Sequence, residues 1–258
     1  MLLHLHEWGE PDAPPVVCLH GVMAHGRRFR RLAEERLAQR FRVVAPDLRG
    51  HGRSSWEPPW TLAQHIEDVR ETLSDAGVER ATVIGHSFGG RLALELTAAG
   101  IAGQSVLLDP VVWVPPPILL ERAEEQRRDR SFATEDEARA ERASLSPLAP
   151  RALIDEEFRE HLVGGEDGLL RFRYSQAAVV AALGELAQEP PAWELLQVPT
   201  LLVVGEDTDV VPPVVVDWLR AELADLEVVT VPGRHVVLWD AYEETADAIE
   251  RFLENPGA

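Results

Sequence analysis

The chain contains no lysine; all 25 of its basic residues are arginine. Schiff-base chemistry and the phosphate-cradling P-loop each require a lysine, so both are excluded. Cysteine is almost missing as well. Cys18 stands alone, which excludes an intrachain disulfide. Its setting, Val16-Val17-Cys18-Leu19, reads as a buried strand, so the thiol is expected in the core. Basic charge is outweighed by 44 acidic residues, giving a formal net charge of -19. That balance argues against a nucleic-acid partner and against binding to anionic membranes. No uninterrupted apolar run is long enough to span a membrane. The opening Met1-Leu2-Leu3-His4 lacks the basic and apolar regions of a signal peptide, so a cytoplasmic location is expected. Internal repeats and low-complexity segments are absent. So is any His/Asp/Glu spacing of the H-E-x-x-H kind, and neither a catalytic metal nor a cofactor is expected.

What is present alternates. The 258 residues suit one large α/β domain, or one such domain with an insertion. Leu2 to Trp8 reads as an edge strand, and Val16 to Leu19 as a strand buried on both faces. A helix is expected from Phe29 to Arg40, then a strand over Val43-Val44-Ala45. Thr61 is a suitable N-cap for a helix reaching Ala76, with Gly77 as its stop. Strands follow at Ala81 to Ile84 and Ser105 to Leu108, separated by a helix from Arg91 to Ala99. Strand and helix in turn imply a parallel sheet with crossover helices.

The alternation then lapses. Val111 to Pro117 is rich in proline. Ile118 to Ala143 is a charged run containing Glu121, Arg122, Glu124, Glu125, Arg127, Arg128, Asp129 and Arg130, with acid and base three or four apart as on a solvated helix. Helices are expected again at Pro150 to Leu162 and Ala177 to Ala187, with Gly164-Gly165 as a break and no strand series. Residues 111–191 therefore read as a helical insertion, a cap or lid over the carboxyl edge of a sheet formed by 1–110 and 192–258. Strand and helix resume with Leu201 to Val204, Val214 to Leu223 and Glu227 to Val231, and a final helix runs to about Leu253.

One stretch organises the rest: Ile84-Gly85-His86-Ser87-Phe88-Gly89-Gly90. A strand that turns at once into a helix has no room for side chains at the crossing, and Gly85 and Gly89 remove them. Ser87 is then held at the apex of a strained turn with its hydroxyl lifted clear. Loops at the carboxyl ends of the other strands carry His20-Gly21-Val22, Asp109, Asp209 and His235, which is where an open parallel sheet keeps its chemistry.

Taken together, these motifs resemble the α/β-hydrolase superfamily from about residue 2 to the end. The matching residues are His20-Gly21, Asp47-Leu48-Arg49-Gly50-His51-Gly52-Arg53-Ser54, Gly85-His86-Ser87-Phe88-Gly89-Gly90, Gly205-Glu206-Asp207-Thr208-Asp209 and Gly233-Arg234-His235. The resemblance implies an α/β-hydrolase fold, a mostly parallel sheet flanked by helices, with the helical cap inserted after the sixth strand. It implies a nucleophile at Ser87, a base at His235 and an orienting acid at Asp209, with Asp109 as the rival. The backbone N–H groups of Val22 and Phe88 would form an oxyanion hole. Pocket candidates are Arg91, Trp113, Phe172, Tyr174 and Trp239, with Trp193 beside them. His20 and His51 are expected to hold loops, and His86 to point away from the site. His4, His6, His65 and His161 have no partners at a recognisable spacing.

The implied activity is a serine hydrolase acting on a small, fairly apolar ester, lactone or thioester. A serine at the elbow, where relatives carry aspartate, argues against dehalogenase and epoxide hydrolase chemistry. Carbon–carbon bond hydrolysis stays open. So does a lyase resembling the menaquinone-pathway succinyl-hydroxycyclohexadiene-carboxylate synthase, suggested by Gly89-Gly90-Arg91 and by Arg122, Arg127, Arg128, Arg171 and Arg173. A non-catalytic binder on the same scaffold is the third reading.

Overall fold

The structure, a computed structural model, describes residues 1–128 and 130–254; Asp129 of the charged run lies outside the described residues. Seven strands form the main sheet: β1 (Leu5–Trp8), β2 (Pro15–Leu19), β3 (Arg42–Pro46), β4 (Ala81–His86), β5 (Ala102–Leu108), β8 (Thr200–Gly205) and β9 (Leu226–Val231). Their order across the sheet is β1-β3-β2-β4-β5-β8-β9. Only β1 runs antiparallel, at the edge beside β3, where its alternating pattern needs just one buried face.

The inner strands are apolar through their central residues because both faces are covered. Successive strand residues point to opposite faces. Val44, Val83 and Leu202 therefore pack with Val69 of α2 (Leu62–Asp75) and Leu92 and Leu96 of α3 (Phe88–Ala98). Their neighbours Val43, Ala45, Ile84, Leu201 and Val203 pack on the other side with Phe29 and Leu37 of the helical segment 26–37 (α1) and with Ile249 and Phe252 of α10 (Tyr242–Glu254). Each such Leu, Ile or Phe contributes about 1.5–3 kcal/mol when fully buried. Cys18 is buried in this second layer, as expected, and burial pushes its thiol pKa up. Thr61 caps α2 by accepting from the Gln64 N–H at 3.2 Å.

Between β5 and β8 the chain forms α4 (Pro116–Gln126), α5 (Glu135–Leu145), α6 (Arg151–His161), the short strands β6 (Leu162–Gly164) and β7 (Leu170–Phe172), and α7 (Gln176–Glu185). Three sequence expectations need correction here. The insertion follows the fifth strand of this chain, not the sixth, since only four precede β5. The charged run is two helices, not one. Phe132 interrupts it, exchanging backbone hydrogen bonds with Leu170 and burying its ring beside Phe158 and Phe172. Thr134 then starts α5 by accepting from the Glu137 N–H. Finally, the expected break at Gly164-Gly165 falls where β6 ends and the turn of an antiparallel hairpin begins, its strands too short to leave a signature in the sequence.

The insertion is tied to the sheet's carboxyl edge by backbone bonds. Gly52 N–H donates to Arg173 O at 2.9 Å, and Ser175 N–H donates to Gly50 O at 2.7 Å. The remaining helices are α8 (Pro213–Glu222) and the single turn α9 (Val237–Asp240). No helix among the described residues is long and apolar enough to cross a membrane.

Candidate active site

β4 ends at His86, and α3 begins at Phe88. Ser87, alone between them, has φ 56° and ψ -118°. A non-glycine residue at positive φ is strained by about 1–3 kcal/mol, and its surroundings must hold it there. They do: Ser87 N–H donates to Leu108 O at 3.1 Å, and Ser87 O accepts from the N–H groups of Gly90 and Val111 at 2.9 and 3.0 Å. The two glycines are required by contact. A Cβ on Gly85 would lie 2.2 Å from Gly89 O, and one on Gly89 would lie 2.1 Å from Leu19 O.

Ser87 Oγ lies 2.9 Å from Nε2 of His235, which follows β9. The other ring nitrogen, Nδ1, lies 2.7 Å from Oδ2 of Asp109. Asp109 is fully buried, at φ 42° just past β5. Its carboxylate also accepts from Gly205 N–H at 3.2 Å and from the Thr208 hydroxyl at 2.7 Å. With Nδ1–H directed at a carboxylate, Nε2 is left unprotonated toward the serine hydroxyl.

The acid facing His235 is thus Asp109, and the expectation of Asp209 is corrected. Sheet register explains it. His86 pairs with Leu108 across β4 and β5, so the residues one step further, Ser87 and Asp109, emerge side by side. The loop after β8 starts one strand further out. Its contribution is Thr208, which bonds to Asp109, while Asp209 is exposed and lines the cavity in front of His235.

His86 does not point away from the site. Its Nε2–H donates to the carbonyl of His235 at 3.0 Å, and the two rings lie 4.8 Å apart. Burial, reinforced by the neighbouring His235, holds His86 neutral, with its pKa well below the ordinary value. No spacing in the sequence signals this contact. His20 fixes the loop above the serine as expected, donating from Nδ1 to Gly21 O at 2.7 Å and accepting at Nε2 from Leu48 N–H at 2.9 Å. His51 also anchors a loop, through Arg49 O at 3.0 Å, and burial lowers its pKa to about 4. Phe88 N–H opens α3 and so has no carbonyl within the helix to bond. Val22 and Met23 line the same cavity as Ser87, and Met23 has φ 60°.

Two adjoining cavities meet at Ser87 and His235. The larger, about 450 Å³, is lined by Phe88, Val111, Ile118, Val179, Leu183 and Leu186 together with Glu121, Glu125 and Gln126. The smaller, about 230 Å³, is lined by Arg28, Arg142, Arg234, His86, Leu145 and Val236. Arg122 lines both.

The five pocket residues expected from the sequence lie elsewhere. Arg91, on α3, is buried and donates to the carbonyls of Val112, Gln188 and Glu189. Trp113 bonds Ala187 O from an exposed position. Phe172 and Tyr174 are buried in the separate core of the insertion. Trp239 stacks under Arg28 at 4.5 Å, and Trp193 packs edge-on against Trp218. Each is a large side chain that could be expected to pack, but its facing depends on how the insertion folds.

Outside this site, His4, His6 and Asp47 bring one ligand atom each within 4.8 Å of one another, the arrangement among the described residues that comes nearest to a metal cluster. Asp47 is already engaged by His6, by Gly26 N–H and by Arg53 N–H. Burial opposes its ionisation, yet these bonds keep its carboxyl below the ordinary range.

Residues 16–248 match the model of the alpha/beta hydrolase family, and the chain belongs to that family. It is 34% identical to lipase LipV of Mycobacterium tuberculosis, the match covering 97% of each chain. It is 30% identical to a 3-hydroxybutyrate-oligomer hydrolase of Cupriavidus necator, over 90% of this chain and 82% of that one. Among solved structures, E-2-(acetamidomethylene)succinate hydrolase superposes with a TM-score of 0.86 at 25% identity, covering 98% of this chain and 95% of that one. These likenesses support a hydrolytic role.

Proposed function

We propose that the protein is a serine hydrolase that cleaves a small carboxylic ester, lactone or thioester through an acyl-enzyme, with Ser87 as nucleophile, His235 as base and Asp109 as orienting acid. The observation that carries this reading is the unbroken hydrogen-bonded chain from Ser87 Oγ through both nitrogens of His235 to Asp109. Ser87 Oγ attacks the carbonyl carbon while His235 Nε2 takes its proton. The proton passes to the leaving group as the acyl bond breaks, and water then releases the acid by the same steps in reverse. Asp109 keeps the ring in the required tautomer and balances the transient imidazolium. Thr208 and Gly205 N–H hold that carboxylate in place. The N–H groups of Phe88 and Val22 receive the oxyanion.

Residues 111–191 act as a cap that roofs the cavity through α4 and α7. The apolar wall of the larger cavity suits an alkyl or aryl group of the substrate. The lipase and the oligomer hydrolase among its relatives are in keeping with this class. The lyase reading loses one of its supports, because Arg91 is occupied by backbone carbonyls.

The test is hydrolysis of p-nitrophenyl esters of increasing chain length by the wild type and by Ser87→Ala. Activity in the wild type and a loss of at least about 1000-fold in a folded Ser87→Ala protein are expected. A wild type inert toward every ester and lactone tried would overturn the reading.

A further inference from the structure

The two cavities that meet at Ser87 differ in chemistry. The larger has an apolar wall. The smaller is lined by the guanidinium groups of Arg28, Arg122, Arg142 and Arg234 and by a single carboxylate, Asp209. This occurs in a chain whose formal net charge is -19, so a local excess of arginine is not a reflection of composition.

The four arginines are not equivalent. Arg28 and Arg142 are held from behind by the buried Glu157. Arg28 bonds both of its oxygens, at 2.7 and 3.3 Å, and Arg142 lies 3.6 Å from one of them. Arg142 also donates to Met23 O at 3.1 Å and lies over the Phe172 ring at 3.8 Å. These two are structural parts of the wall. Arg122, on α4, and Arg234, beside His235, are half-buried and form no ion pair with any described residue. Most other arginines near the insertion are matched: Arg139 with Asp155, Arg130 with Glu141, Arg127 with Glu124. Two unpaired guanidiniums facing one small space beside a nucleophile form a binding feature for a planar anion, because each offers parallel N–H donors at carboxylate spacing. Glu157 and Asp209 leave the lobe with guanidinium in excess over carboxylate.

We infer that the smaller cavity is an anion subsite, in which Arg122 and Arg234 bind a carboxylate carried by the substrate a few bonds from the bond that Ser87 attacks. The substrate is then a half-apolar, half-anionic ester, its apolar group against Leu183 and Leu186 and its carboxylate against the arginines. This inference rests on the hydrolase reading for its turnover test but not for its binding test.

Two matched substrate pairs separate the halves of the substrate. The acyl pair is the p-nitrophenyl monoester of glutaric acid against p-nitrophenyl pentanoate. The leaving-group pair is 4-acetoxybenzoate against 4-methylphenyl acetate. In at least one pair, wild type is expected to favour the carboxylate member by about tenfold or more in kcat/KM. Replacing Arg122 and Arg234 together by glutamine should erase that ratio, and Arg122→Lys alone should retain part of it. A wild type favouring the neutral member of both pairs, or a double variant that keeps the ratio, would overturn the inference while leaving the hydrolase reading intact. If wild type hydrolyses nothing, the hydrolase reading fails, and the subsite is read by calorimetry of glutarate binding to Ser87→Ala. Binding that disappears in the Arg122/Arg234 double variant supports the subsite, and no binding to Ser87→Ala overturns it.

Discussion

Asp109 and His235 stand 126 positions apart in the chain and 2.7 Å apart in the fold. The contact is made where two neighbouring strands and the last loop of the sheet converge. Asp109 reaches it from a left-handed backbone conformation that Asp109 N–H, donating to Val203 O at 2.8 Å, helps to fix.

Asp109→Asn is expected to lower kcat for a p-nitrophenyl ester by about 1000- to 10,000-fold. The amide presents the wrong hydrogen-bonding pattern to His235 Nδ1–H and favours the unproductive tautomer. Asp209→Asn should lose no more than about tenfold, since among the described residues no hydrogen bond or ion pair joins that side chain to His235. Steady-state kinetics of the two variants side by side decide the matter; equal losses would contradict the assignment.

Arg91 is expected to govern stability and not recognition. It donates to Val112 O, Gln188 O and Glu189 O, and so joins both ends of the insertion to α3. Arg91→Met leaves these carbonyls without their charged donor and should cost about 2–4 kcal/mol. Chemical denaturation reads this as a lower midpoint, while KM for a p-nitrophenyl ester should shift by less than about threefold.

Stability should fall on acidification, with His65 as one cause. Its ring is buried edge-on against Phe88, and neither of its nitrogens has a hydrogen-bond partner among the described residues. Burial, with His51 adding to it, lowers its pKa from 6.5 to about 3. Between those values the unfolded chain takes up a proton that the native state refuses. Stability therefore drops as pH falls through this window, by up to about 1.4 kcal/mol per pH unit for each such histidine. His51 adds to the slope down to about pH 4. Urea midpoints measured from pH 7 to pH 4 should decline, and His65→Phe should flatten the decline by up to one proton.

The sequence by itself determined the repeating strand and helix and the strand–turn–helix elbow at Ser87. These follow from local rules: β-branched runs for strands buried on both faces, and glycines where backbones nearly touch at the crossing. Even Thr61 as a helix cap was legible, because a cap is a relation between residues three apart. Tertiary structure alone decided which carboxylate faces His235. Asp109 and Asp209 both follow strands and both precede His235. Only the register of β4 against β5 puts Asp109 next to Ser87, and the pairing of β5 with β8 brings Thr208, not Asp209, to its carboxylate. It likewise decided that Arg91 is spent on carbonyls while Arg122 and Arg234 face the cavity. An arginine reads the same in sequence whether it clamps a backbone or opens to a ligand. The difference lies in which groups, distant along the chain, the fold brings within hydrogen-bonding reach.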